Sequence, residues 1–321
     1  MGLFRRSMPV GELVDEFAGS IISRSNGSKK SWVTDVNRLR AAVDLLDVKK
    51  VEEISSEAVA GVLSAKEGEG RSPKTINNYR EILHRLCGYA IREKGVSFRE
   101  TGRENPVARV PKRREAAPEI TYLERPQIEG VLGGLSGEPQ LRAMVAVLIF
   151  AGLRRGELVH LTRKDIDIER RLIHVRAKTV GDIKWQPKTR RNRSVPISER
   201  LFAELSRWGG AGHSTWYFPS PEGMLWDEDN FSRGLRRVQR PLGTNWGCLD
   251  FRHTFGTQLA RNGVSLFKIA TLMGNSPEIC RRHYAFLSSE DLKEEVEFGS
   301  AEPPAIPPRP PEGPSGARAA F

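Results

Sequence analysis

Three stretches of this sequence carry residue types that could act together on a phosphate ester. The first is Ala151-Gly152-Leu153-Arg154-Arg155-Gly156-Glu157-Leu158. The second is Pro187-Lys188-Thr189-Arg190-Arg191-Asn192-Arg193-Ser194-Val195-Pro196. The third begins Asp250-Phe251-Arg252-His253-Thr254-Phe255, continues through Leu272-Met273-Gly274-Asn275-Ser276 and closes on His283-Tyr284. Alone, each has an ordinary reading. Gly-Leu-Arg after an apolar helix can be a helix end, a Lys/Arg run is commonly a solvated face, and a single tyrosine is commonly core. Their chemistry is nonetheless compatible. Arginine stays charged and grips an anionic oxygen with two donors. A phenolic oxygen can serve as a nucleophile, and a cation can protonate a departing alkoxide.

The composition suits a polyanionic partner. Lysine and arginine number 51 against 40 acidic residues, for a net charge of +11 over 321 residues. Nucleic acid is the first candidate for such a balance, although many soluble proteins are modestly basic. Cys87, Cys248 and Cys280 lie far apart, with no CxxC pair and no Cys/His metal spacing, so they read as buried or half-buried thiols. No metal or cofactor site is expected. No apolar run approaches the roughly 18 residues needed to span a bilayer. The start, Met1-Gly2-Leu3-Phe4-Arg5-Arg6-Ser7, has no apolar signal core, and Arg6 stands where a myristoylation pattern needs Ser or Thr. The expectation is a cytoplasmic, nucleoid-associated protein with no membrane partner.

The reactive residues need a scaffold, and the apolar pattern supplies helices. Across residues 10–22, Leu13, Phe17 and Ile21 recur at helical spacing. Residues 31–46 place Trp32, Val36, Leu39 and Val43 on one face; residues 56–64 suit a short helix, and a loop with Gly68 and Gly70 follows at 67–71. Ser72-Pro73 reads as cap and first-turn proline of another helix. Its stripe is Ile76, Tyr79, Leu83, Leu86 and Ala90, and its other face offers Lys74, Asn77, Asn78, Arg80 and Arg85. Asn105-Pro106 ends this helical part, and Lys112-Arg113-Arg114-Glu115-Ala116-Ala117-Pro118 reads as a basic linker. Beyond it, residues 142–151 form an apolar helix, and residues 172–175 and 194–197 look like short strands around a polar, basic connection. Helical patterns resume at 199–208, 229–238, 251–262 and 266–273. From Glu302 onward the tail is dense in proline and reads as extended or disordered.

Taken together, the three stretches resemble the tyrosine recombinase signature of the phage integrase family. The order is an arginine in a Gly-Leu-Arg-x-x-Glu box, a lysine before Arg-x-Val-Pro, an Arg-His-Thr-Phe helix, a Leu-x-Gly turn, and a tyrosine ten residues after that glycine. The resemblance covers roughly positions 10 to 295. It implies a mainly α fold: an N-terminal helical core-binding (SAM-like) domain of four or five helices, then an α+β catalytic domain with a small, three-stranded antiparallel sheet. The expected boundaries are a tail at 1–9, the core-binding domain at 10–111, a linker at 112–121, the catalytic domain at 122–298 and the tail at 299–321. The basic linker would let the two domains close around a duplex.

The resemblance also implies roles. Arg154 and Arg252 match the family's two clamp arginines, which neutralise charge building on the nonbridging oxygens of the scissile phosphate. Tyr284 matches the nucleophile that attacks phosphorus and forms a 3′-phosphotyrosyl bond, which conserves energy and dispenses with ATP and metal. A lysine on a strand-to-strand turn protonates the 5′ oxygen. Lys188, five residues before Arg193, is favoured for that role, with Lys178, 24 residues after Arg154, as the alternative, because the connection is about ten residues longer than the simplest family version. Glu157 is read as positioning Arg154 or its helix. Two positions depart from the pattern: Leu249 stands where the family has His, and Asn275 where it has His or Trp. Asn275 can still donate to a phosphate oxygen; Leu249 cannot. His253 and His283 are nearby in sequence and could substitute, although the residue at position 253 commonly serves packing in the family.

Lys74, Asn77, Arg80, Arg190, Arg191, Arg193, Arg233, Arg236 and Arg237 are the candidate DNA contacts, the last three sharing a helical face with Arg240. The expected partners are double-stranded DNA, further copies of the chain as a tetramer on paired sites, and an accessory DNA-bending or directionality factor. The expected activity is site-specific strand cleavage and rejoining that integrates or excises a mobile element. Two rivals stand beside it. One is a DNA-binding relic that lost catalysis with Leu249. The other is a type IB topoisomerase, which shares the chemistry without a specific site; a core-binding domain favours the recombinase.

Overall fold

Among the described residues of the first part of the chain, capping residues and apolar stripes set out four α-helices: α1 (Val10–Arg24), α2 (Lys29–Val43), α3 (Ser56–Gly68) and α4 (Pro73–Lys94). Ser55 accepts the Ala58 N–H at the start of α3, and Ser72 accepts that of Thr75 at the start of α4. Gly95 ends α4 in the left-handed region at φ 63°, where a side chain would be strained. α3 runs through Gly68, two residues into the loop expected from residue 67. Leu13, Leu39, Ile54, Leu63, Ile76, Leu83 and Leu86 form the fully buried core of this unit.

The structure, a computed structural model, describes residues 7–24, 29–116, 119–210, 212 and 214–285. The chain divides into two units, Met1–Ala117 and Pro118–Phe321. Residues 286–298 of the expected catalytic domain and the proline-dense tail lie outside the described residues. The linker expected from residue 112 is not free at its start. Asn77 accepts the Arg113 N–H at 2.8 Å and donates to the Arg113 carbonyl at 2.9 Å, which holds that stretch against α4.

The second unit contains α5 (Arg125–Gly134), α6 (Pro139–Ala151), α7 (Arg155–Val159), β1 (Ile166–Asp167), β2 (Leu172–Val175), β3 (Lys178–Val180), β4 (Ile183–Trp185), β5 (Arg193–Pro196), α8 (Glu199–Trp208), α9 (Glu228–Gln239), α10 (Cys248–Arg261), α11 (Leu266–Met273) and α12 (Pro277–Tyr284). Every residue from Ala143 to Leu148 is fully buried, so α6 is apolar all round and forms the centre, packed against α8 and α10. The expected three-stranded antiparallel sheet is present in the order β1-β2-β5, with Ile173 opposite Val195 and Val175 opposite Arg193. The connection between β2 and β5 holds a further hairpin, β3–β4, turned through Gly181 at φ 57° and Asp182. Among the described residues, no helix is long and apolar enough to cross a membrane.

Candidate active site

The site is assembled where α6 ends. Gly152 caps that helix at φ 60°, and a Cβ there would fall 2.2 Å from the Phe255 ring on α10. Only glycine permits both the turn and the close approach of α10. The turn places Arg154 at the N-cap of α7 and aims the Gly152 carbonyl at Arg252, whose Nη1 donates to it. Arg252 Nη2 donates to the Met273 carbonyl at 2.7 Å and to Asn275 Oδ1 at 2.9 Å. Arg154 Nη2 donates to the same Oδ1 at 2.6 Å and to the Gly274 carbonyl at 2.5 Å. One amide oxygen thus gathers two guanidiniums, and the Asn275 amide nitrogen remains a donor.

Glu157 fixes the geometry from below. Its carboxylate, 2% exposed, accepts from Arg154 Nη1 at 2.9 Å and from the Arg154 backbone N–H at 2.8 Å. It also accepts from both terminal nitrogens of Arg193, at 2.9 and 2.6 Å. Burial opposes its ionisation, but the Arg193 hydrogen bond and charge, with those of Arg154, outweigh burial and hold the carboxyl below its ordinary range. Arg252 moves the other way: burial, then the neighbouring Arg154, push it down to about 10 against the pull of Glu157. It stays charged at neutral pH. Two like charges held together in a partly desolvated cleft form a preorganised anion site.

The cleft measures about 510 Å³ and is lined by Arg154, Arg252, Asn275, His253, Leu249 and Tyr284, among others. Tyr284 closes α12 and is 4% exposed. Its ring lies on the α10 backbone at Gly256, where a Cβ would come within 2.4 Å of Tyr284 Cζ. Burial raises the phenol above its ordinary pKa, against the opposing fields of Arg252 and Arg154. His253 Nδ1 lies 3.0 Å from the phenol oxygen. Leu249 stands at the rim, 62% exposed.

The two lysines differ in setting. Lys178 Nζ pairs with Asp165, donates to the His160 carbonyl at 3.0 Å and lies 5.5 Å from the centre of the Trp185 ring. Burial lowers its pKa, with Asp165 partly offsetting the effect. Lys188 is exposed on the β4–β5 connection.

Three of the expected DNA contacts are turned inward. Arg80 is buried and donates to the Val110 and Val107 carbonyls at 2.6 and 2.9 Å, satisfying acceptors of the loop after α4. Asn77 is 7% exposed and committed to Arg113 and to Glu115, which it reaches at 2.7 Å. Arg193 has a side chain 7% exposed, and besides Glu157 it donates to the Leu272 carbonyl at 2.8 Å. Its role is to join β5, the first arginine box and the Leu-x-Gly turn. Lys74, Arg190, Arg191, Arg233, Arg236 and Arg237 are exposed.

Residues 126–289, just over half of the chain, match the phage integrase family. The chain therefore belongs to that family, the tyrosine recombinases. It is 23% identical over 275 residues to a tyrosine recombinase of Thermosipho africanus, covering 83% of this chain and 90% of that protein. The Tn1549 transposon integrase, solved with a circular intermediate DNA, matches the fold with a TM-score of 0.73 at 21% identity over 89% of this chain and 98% of that one. The lambda integrase, solved as a tetramer on a Holliday junction, matches with a TM-score of 0.67 at 16% identity over 84% and 78% of the two chains.

Proposed function

We propose that this protein cuts and rejoins DNA at specific sites through a covalent 3′-phosphotyrosyl bond to Tyr284, integrating or excising a mobile element. The observation that carries this reading is the convergence of Arg154, Arg252, Asn275 and Tyr284 on one cleft, from four separate segments of the chain. The two guanidiniums clamp the scissile phosphate, and the Asn275 amide nitrogen gives a further donor. Tyr284 attacks phosphorus. Lys188 protonates the departing 5′ oxygen, since Lys178 is already engaged by Asp165 and the His160 carbonyl. The exposed Arg233, Arg236 and Arg237 of α9 suit phosphate contacts. The DNA and tetramer seen with the integrase relatives support double-stranded DNA as ligand and a tetramer on paired sites, with an accessory factor to set direction.

One feature favours a second reading, a DNA-binding relic: the polar family residue is replaced by Leu249. The test covers both. Nicked suicide duplexes tiling the DNA on either side of the gene are incubated with the protein and resolved under denaturing conditions. The recombinase reading expects a protein–DNA adduct on one duplex that disappears in Tyr284→Phe while DNA binding persists. Binding without any adduct would establish the relic.

A further inference from the structure

We propose that His253 is the proton acceptor for the Tyr284 nucleophile, in the place left by the missing polar group at position 249. This rests on the reading that Tyr284 attacks DNA. Positions 249 and 253 are one turn apart on the same face of α10. They differ in depth: Leu249 is 62% exposed at the rim, whereas His253 is 9% exposed and adjoins the buried phenol. Gly256, one turn further on, admits the Tyr284 ring against the helix backbone and so brings its oxygen to 3.0 Å from His253 Nδ1. That is hydrogen-bond distance, and the proposed role takes the Nε2–H tautomer, in which the phenol O–H donates and Nδ1 accepts.

The charge state of His253 leaves the lone pair open, on a base weaker than ordinary imidazole. Burial, then His283 and Arg252, keep His253 unprotonated, with a pKa of about 4 despite Asp250, so its lone pair is available at neutral pH. Among the described residues, these groups on α10 and the His283 and Tyr284 side chains of α12 face it. His283 has its ring centre 5.4 Å from that of His253, and its buried Nδ1 has no hydrogen-bond partner among the described residues. A phosphodiester anion in the cleft counters the Arg252 field and makes the imidazole more basic at the moment of attack. The step balances: the phenolic oxygen bonds to phosphorus, its proton passes to His253 Nδ1, the P–O5′ bond breaks, and the 5′ oxygen takes a proton from Lys188. Rejoining runs these transfers backwards.

The test is single-turnover cleavage of the suicide duplex by the full chain, its His253→Gln and His253→Ala forms, and Tyr284→Phe, with DNA affinity and thermal unfolding measured alongside. His253→Gln keeps a hydrogen-bonding side chain but no base. Its cleavage should fall about 10²–10⁴-fold with DNA affinity unchanged. Added imidazole should restore part of the rate to His253→Ala but none to Tyr284→Phe. The unmodified chain should lose cleavage as pH falls through a single ionisation below neutrality, a readout that stands even where a variant fails to fold. Cleavage by His253→Gln within about threefold of the unmodified chain, or a rate indifferent to acid over that range, overturns the proposal while leaving Tyr284 in place. Absence of a Tyr284-dependent adduct in the unmodified chain defeats the underlying reading, and the proposal with it.

Discussion

Arg193→Met separates two roles for one arginine by measurements that move in opposite ways. The structure gives Arg193 three hydrogen bonds, at 2.9 and 2.6 Å to Glu157 and 2.8 Å to the Leu272 carbonyl. Its side chain is 7% exposed and that of Glu157 is 2% exposed. Methionine keeps much of the volume but removes the charge and all the donors. Breaking a buried ion pair from one side costs about 3–5 kcal/mol. Arg154 still donates twice to the carboxylate, so the lower end applies, about 3 kcal/mol. For a unit of this size each kcal/mol moves Tm by about 2–4 °C, which makes the expected fall about 6–12 °C. A phosphate-contacting arginine behaves differently. Its loss leaves Tm unchanged and makes the slope of log affinity against log salt shallower by about one.

The assay is thermal unfolding of the full chain, followed by a salt titration of DNA binding with each protein. An unchanged Tm with a shallower salt slope would refute the buried-brace assignment and restore Arg193 to the DNA surface. The pH dependence sharpens the test. Glu157 has a folded-state pKa held below its ordinary value, so its contribution is complete above the ordinary value and is lost as pH falls through the folded one. The unmodified chain should therefore lose this increment in acid, while Arg193→Met lacks most of it already at neutral pH.

Three further outcomes are expected. Lys188→Ala should slow cleavage strongly on ordinary DNA and recover on a duplex with a 5′-thiolate leaving group, which needs less protonation; recovery by Lys178→Ala instead would exchange the two lysines. Gly256→Ala drives a methyl to 2.4 Å from Tyr284 Cζ, so it should cost about 1–3 kcal/mol and suppress the covalent adduct; wild-type unfolding and adduct yield would contradict the packing of that ring on α10. His253 titrates at about 4 in the fold against 6.5 ordinarily, so the unfolded chain binds its proton first. Stability should decline as pH falls from about 6.5 to about 4, by at most about 3 kcal/mol, and His253→Gln should flatten that part of a denaturation–pH curve.

Much of the scaffold was legible because it is written in apolar spacing. The strand Leu172–Val175 and the helices Glu199–Trp208 and Leu266–Met273 have the bounds their patterns suggest. The β3–β4 hairpin was not legible, since its strands are three residues long and largely solvent-facing, too short for the Ile183-Lys184-Trp185 alternation to mark a strand. Arg80 and Arg193 face inward where charge alone suggests exposure. A signal existed in both cases. Arg80 lies between Ile76 and Leu83 on the buried stripe of α4, and Arg193 shares its strand face with Val195 and Ile197, both buried. A charged residue in register with core residues is more often a buried brace than a surface contact, and its partner can be a loop carbonyl about 30 residues away that no local pattern reveals.

The two departures from the family pattern carry unequal weight for the same structural reason. Asn275 stands inside the hydrogen-bond network: its oxygen receives both Arg154 and Arg252, and an apolar side chain there would leave two guanidiniums facing each other without that acceptor. Leu249 stands outside it. At the rim and mostly in solvent, it strands no buried donor, and the carbonyls of Gly152, Met273 and Gly274 still hold the two arginines. The phenol meanwhile has its own imidazole partner one turn deeper. The change at position 249 therefore strands no buried group, whereas Asn275 keeps an acceptor that the two guanidiniums share.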